Sequence, residues 1–187
     1  MNETSEAPDD LEPASKESSQ EEEAERHREA MNKVVPRARL DALRMRFTHV
    51  EFNVLELNDT SWADDAHLVF TSHLAGRSDS GFNAHVQYLI RYLADEDLDQ
   101  AEELPEYDPE DPPAVELTAT YEVQYSLADP EEVPDEDLEH FCSMNPIHNT
   151  WSFWREYVYN VTGRMGVEPV LVPLLPVPVA PNPSLEG

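Results

Sequence analysis

The chain has 187 residues, 40 acidic side chains against 12 basic ones, and a formal net charge of −28. A charge of that sign repels nucleic acid and anionic membrane surfaces, and the length sets a single domain as the expectation. The longest apolar run, Val167 to Ala180, is broken by Pro169, Pro173, Pro176 and Pro178, so it cannot span a bilayer.

Of the 40 acids, 28 fall in the stretches 1–30, 95–111 and 129–139, so the charge is mainly a property of tails and loops. The N-terminus lacks the basic and apolar regions of a leader, and the expected location is the cytoplasm. Residues 1–37 read as an acidic tail that is disordered, or frayed helix at 20–32. Deleting 1–30 is therefore expected to leave stability unchanged. The folded domain is expected over 38–180, interrupted by an acidic, Pro-rich insert at 94–113 and followed by a short tail at 181–187.

The first strand begins near Leu40. Leu43, Met45 and Phe47 alternate with Arg44, Arg46 and Thr48; then the phase slips and Val50 and Phe52 become the apolar set, which predicts a bulge near Thr48-His49. Residues 56–66 are turn-forming and contain Trp62. Two strands follow, His67–Ala75 and Phe82–Leu93, around a polar hexapeptide with a glycine at each end. A hairpin centred on Asp79 puts Leu74 opposite Ala84, Phe70 opposite Tyr88 and Leu68 opposite Ile90. The fourth strand, Val115–Leu127, alternates without a break.

The segment Asp135–Met144 predicts a short helix ended by Asn145-Pro146. A second helix is expected from a cap at Asn149 or Thr150 to Thr162, with Gly163 beyond it. Residues 164–180 read as extended. Four strands with segregated helices predict an α+β fold: an antiparallel sheet packed on one face by the main C-terminal helix.

Signs of catalysis are sparse. There is no Gly-rich phosphate loop, nucleophile elbow or HExxH spacing, so no enzyme, cofactor or metal is expected. Cys142, the single cysteine, excludes an intramolecular disulfide and reads as a small apolar residue on a helix. The hairpin register sets His73 opposite His85, where a carboxylate such as Glu122 could complete a metal site. Two solvated histidines are the better reading, because zinc normally takes three or four protein ligands. Trp62, Trp151, Phe153, Trp154, Tyr157 and Tyr159 outnumber what one helical face can bury, so some must meet a partner. That partner is either another copy of the chain or a ligand in a groove.

The stretch Asn145-Pro146, Phe153-Trp154-Arg155-Glu156-Tyr157-Val158, Arg164, Gly166-Val167, Pro169 and Leu171-Val172-Pro173 resembles the C-terminal signature of SecB export chaperones. Glu122-Val123-Gln124 and Trp62 match further positions of that family, and the likeness covers residues 38–178. It implies a four-stranded SecB-like sheet with a helix behind it, assembled as a dimer of dimers. It also implies a holdase that keeps preproteins unfolded in long grooves and passes them to SecA. Carried over by position, the client groove would use Trp62, Leu68, Phe70, Tyr121 and Phe153, and the SecA contact would use Glu51 and Glu122. Two family acids of the first strand are His49 and Asn53 here, and an apolar neighbour of Glu122 is Thr120. The alternative that these departures leave open is a SecB-like chaperone dedicated to one client, such as an antitoxin, without SecA docking.

Overall fold

The computed structural model describes residues 13–52, 66–92, 115–166 and 169–175. Its elements are helix α1 (Pro13–Val34), strands β1 (Ala38–Phe52), β2 (Ala66–Ser78), β3 (Gly81–Tyr92) and β4 (Val115–Leu127), a 3-10 turn at Pro130–Glu132 and helix α2 (Asp135–Met165). Among the described residues the strands form one antiparallel sheet in the order β1-β4-β3-β2, with β1 and β2 at its two edges.

Alternation in β4 sends Val115, Leu117, Ala119, Tyr121, Val123, Tyr125 and Leu127 to the inner face, where all seven are buried. The β2–β3 hairpin has the expected register, with Leu74 opposite Ala84, Phe70 opposite Tyr88 and Leu68 opposite Ile90. Its turn is tighter than the predicted hexapeptide, because pairing continues to Ser78 and Gly81. Gly81 is needed for a close approach: a Cβ there would lie 2.1 Å from the Tyr125 carbonyl oxygen of β4.

In β1 the phase slip falls earlier than expected. The register shifts between Leu40 and Ala42 and again between Met45 and Phe47, so Met45 faces Tyr121 on the inner side while Phe47 pairs with Thr120 on the outer side. One inserted residue reverses every side chain beyond it, and here it turns Phe47 out of the core.

Helix α2 crosses the inner face obliquely. It begins at β2, where Asp135 is paired with Arg77 and the Cys142 carbonyl accepts a hydrogen bond from the Ser72 hydroxyl. It passes β3, where Tyr88 stacks on Trp154 at 5.2 Å and its hydroxyl meets Thr150 Oγ1 at 2.7 Å. It nears β1 where the Tyr157 side chain approaches Thr48. The expected break at Asn145-Pro146 does not occur: Pro146 lies inside a single 31-residue helix. Proline denies the carbonyl four residues earlier its intrahelical N–H, and that carbonyl is Cys142 O, the group that Ser72 satisfies. The helix ends at Gly166 rather than Gly163, with Gly166 in the left-handed conformation at φ 80°.

The N-terminal expectation is corrected over residues 13–34, which form a helix rather than a disordered tail. Ala30 and Val34 are fully buried, and the Lys33 ammonium donates to Asp137 of α2 at 3.0 Å. A cut after residue 30 would remove part of the core, so it should not be neutral as the sequence suggested. Residues 1–12, Trp62, the insert 94–113 and the tail 181–187 lie outside the described residues.

Candidate functional site

The candidate site grows from the inner face of the edge strand β2. Alternation directs Leu68 and Phe70 inward, but the oblique path of α2 leaves both only partly buried. Phe70 meets the Trp151 ring edge-on at 5.5 Å and lies 6.4 Å from Tyr88. Trp151 donates its indole N–H to the Pro173 carbonyl at 3.0 Å, and the Arg155 Nε donates to the Val172 carbonyl at 2.7 Å. These two bonds fasten the extended segment 169–175 along the helix. Val170 and Val172 point inward, whereas Leu171 and Leu174 are about three-quarters exposed. Between helix and segment lies a shallow depression of about 240 Å³, bordered by Ser152, Arg155, Glu156, Tyr159 and Leu171.

Such an arrangement can bind extended polypeptide. Among the described residues β2 has no strand on its outer edge, so backbone groups are available for pairing while apolar side chains border them. Burial pushes the nearby Tyr88 phenol up to about 12, although its hydrogen bond to Thr150 acts the other way.

Of the five expected groove residues, the four that are described do not converge. Leu68 and Phe70 share one inner edge. Tyr121 is corrected to a core residue: it sits on central strand β4, 1 % exposed, with its ring 5.9 Å from Tyr88. Phe153 follows Trp151 by two positions, a rotation of about 200° on a helix, so it projects from the other flank of α2. It is half exposed there, on the side where Tyr157 meets β1. Trp62 is outside the described residues. Sequence reasoning missed Trp151 as the partner of Phe70, and it missed the exposed pair Leu171 and Leu174. The signal was the alternation of Val170, Leu171 and Val172, which sends one leucine outward from an extended segment.

Glu51 and Glu122 lie on the opposite, outer face of the sheet. The Glu122 side chain is only 13 % exposed, with Arg44 at 3.5 Å, Arg46 at 3.7 Å and His85 at 3.9 Å. Gln124 adds a donated hydrogen bond at 3.1 Å. Its charge is compensated within the chain, which departs from an acidic docking surface. His73 and His85 are paired as expected, their rings 5.7 Å apart, yet no group of three metal-ligating side chains occurs among the described residues. Arg91 and Glu116 form a buried ion pair at 2.7 Å across β3 and β4.

The four-stranded antiparallel sheet in the order 1-4-3-2, with a long C-terminal helix laid across one face, is a fold that this chain shares with a solved SecB-like chaperone. A solved structure that shares it is the Mycobacterium tuberculosis Rv1957 SecB-like chaperone in complex with a ChAD peptide from the Rv1956 HigA1 antitoxin. That match has a TM-score of 0.59 at 15% sequence identity and covers 80% of this chain and 98% of that one. A protein of unknown function from Streptococcus agalactiae matches at a TM-score of 0.38 and 11% identity, covering 73% of this chain and 97% of that one. No protein-family model and no curated protein matches the sequence. Among the described residues no helix is long and apolar enough to cross a membrane.

Proposed function

We propose that this chain is a non-enzymatic, SecB-like chaperone that binds extended polypeptide segments of a client protein along the free edge of β2. The observation that carries the reading is the Phe70–Trp151 contact beside an unpaired strand edge, in a fold shared with a chaperone solved in complex with an antitoxin peptide. Client backbone would extend the sheet, and client side chains would rest on Leu68, Phe70, Leu171 and Leu174, with Trp62 expected to contribute from its connection. Apolar burial at about 25 cal/mol per Å² gives useful affinity with little demand on client sequence.

Of two forms of this function, general export chaperone or dedicated chaperone of one client, the compensation of Glu122 by Arg44 and Arg46 favours the second. A carboxylate already neutralised by two guanidinium groups offers little to a basic docking partner such as SecA.

The test uses side chains that can be changed without touching the core. The double substitution Leu171→Ser with Leu174→Ser should keep the parent's melting temperature and circular dichroism while losing most of its ability to suppress aggregation of an unfolded client. Trp62→Ala should behave the same way. Full protection by both variants would remove the groove from this place in the fold. A panel of unrelated unfolded clients then separates the two forms, since a dedicated chaperone protects one and not the rest.

A further inference from the structure

The sheet face turned away from α2 carries a second surface. The inserted residue in β1 brings Phe47 outward, where it stands 57 % exposed. Val69, Thr71, Leu89, Thr118 and Thr120 surround it from the other three strands and leave a depression of about 310 Å³. Beside this depression the register sets Arg44, Glu122, His85 and His73 in one row across all four strands.

The charge of that row is uneven in depth. The Glu122 carboxylate is recessed, while the Arg44 and Arg46 side chains that reach toward it are both more than half exposed. Two outward guanidinium groups therefore stand against one recessed carboxylate, in a chain where acids outnumber bases 40 to 12. With a Debye length of about 8 Å at physiological ionic strength, a ligand seated here responds mainly to the charges of this face, the Arg44, Arg46 and Glu122 cluster on one side of the depression and the His49–Glu51 pair on the other.

We propose that the outer face docks an extended acidic segment of a partner protein. Its carboxylates would lie along Arg44 and Arg46, and one bulky apolar side chain would occupy the depression beside Phe47. A basic segment would meet two exposed cations of its own sign. An uncharged apolar one would desolvate them without supplying a counter-charge. Phe70 of β2 borders the depression as well, but the outward side chains of Val69 and Thr71 alternate with the inward ones of Leu68 and Phe70, so the two surfaces lie on opposite faces of the sheet and can be occupied at the same time.

Fluorescence anisotropy on the full chain tests this with a fluorescein-labelled peptide of Glu and Asp residues around one central Phe. Binding should be saturable and should weaken by roughly tenfold between about 50 and 300 mM salt, as charge screening requires. Arg46→Glu and Phe47→Ser, both at exposed positions, should each weaken it by roughly fivefold or more, Phe47→Ser without shifting the melting temperature and Arg46→Glu with only a small shift, since Arg44 still faces Glu122. Leu171→Ser with Leu174→Ser should leave it unchanged, which separates this surface from the groove. Equal or tighter binding of the matching Lys peptide would overturn the proposal, as would unchanged affinity in Arg46→Glu and Phe47→Ser. If Phe47→Ser instead lowers the sedimentation coefficient of the protein alone, the depression is a contact between copies and the proposal falls.

Discussion

Tyr121 shows how a residue that reads as a binding aromatic becomes a core residue. Its place in the strictly alternating β4 fixes it on the inner face, and its hydroxyl has no hydrogen-bond partner among the described residues. Burial drives its phenol pKa upward, and the neighbouring Tyr88, Tyr157 and Glu156 push in the same direction. A buried hydroxyl without a partner costs roughly 1–3 kcal/mol of desolvation, so Tyr121→Phe should be neutral or stabilising by about 1 kcal/mol in urea unfolding. A marked loss of stability would show that the hydroxyl is satisfied after all. Tyr125 and Cys142 are likewise pushed up by burial, each to about 12. With Tyr88, these groups stay protonated in the folded chain where the unfolded chain has begun to lose protons. Their contribution to stability is complete below the unfolded pKa values, about 9 for the thiol and 10 for the phenols. It is then lost as pH rises toward 12. Alkaline titration should therefore show the melting temperature falling above about pH 9, and Cys142 should resist alkylation at pH 8 until the protein is denatured.

At the scale of elements, periodicity was a sound guide where one face of a strand is buried and an unsound one where tertiary contacts repair a local fault. β4 and the β2–β3 register were legible because a period of two leaves no other assignment. The continuity of α2 was not, because the donor that replaces the missing N–H of Pro146 is Ser72, 70 residues from its acceptor. Helix α1 was legible only as a frayed alternative to disorder over 20–32, for a related reason. Its anchors among the described side chains are few, Ala30, Met31, Val34 and the Lys33–Asp137 pair, within an otherwise polar sequence. The Ser72–Pro146 arrangement gives a sharp prediction. Ser72→Ala leaves the Cys142 carbonyl without its donor and should cost roughly 1–2 kcal/mol. Pro146→Ala restores an intrahelical N–H to that carbonyl, so Ser72→Ala should cost measurably less in a Pro146→Ala background. Equal costs in the two backgrounds, measured by urea unfolding, would show that the hydroxyl is not acting as the substitute donor.

For the whole molecule the unanswered demand is on the flank of β1. The client-groove half of the candidate site was legible only as a cluster of aromatics, since sequence could not say which flank of α2 each would occupy. The oblique helix path separates them, Trp151 toward β2 and Phe153 toward β1. Leu40, Met45 and Val50 lie on the inner face of β1, yet all three are substantially exposed, and Phe153 adds an aromatic ring on the same side. The two register shifts in β1 interrupt the comb of backbone groups at that edge, and Arg39, Arg44 and Arg46 place cations along it, both features that discourage open-ended strand addition. A closed contact through the inner-face side chains is the arrangement that buries them, and a two-fold axis lets the same strip serve both copies. We therefore expect a dimer or a dimer of dimers at micromolar concentration in sedimentation velocity. Met45→Glu combined with Phe153→Glu would set a carboxylate of each copy into an apolar contact and should release monomers with the parent's circular dichroism. A parent that sediments as a monomer, or a double variant that keeps the parent's assembly, would show that this flank does not join copies of the chain.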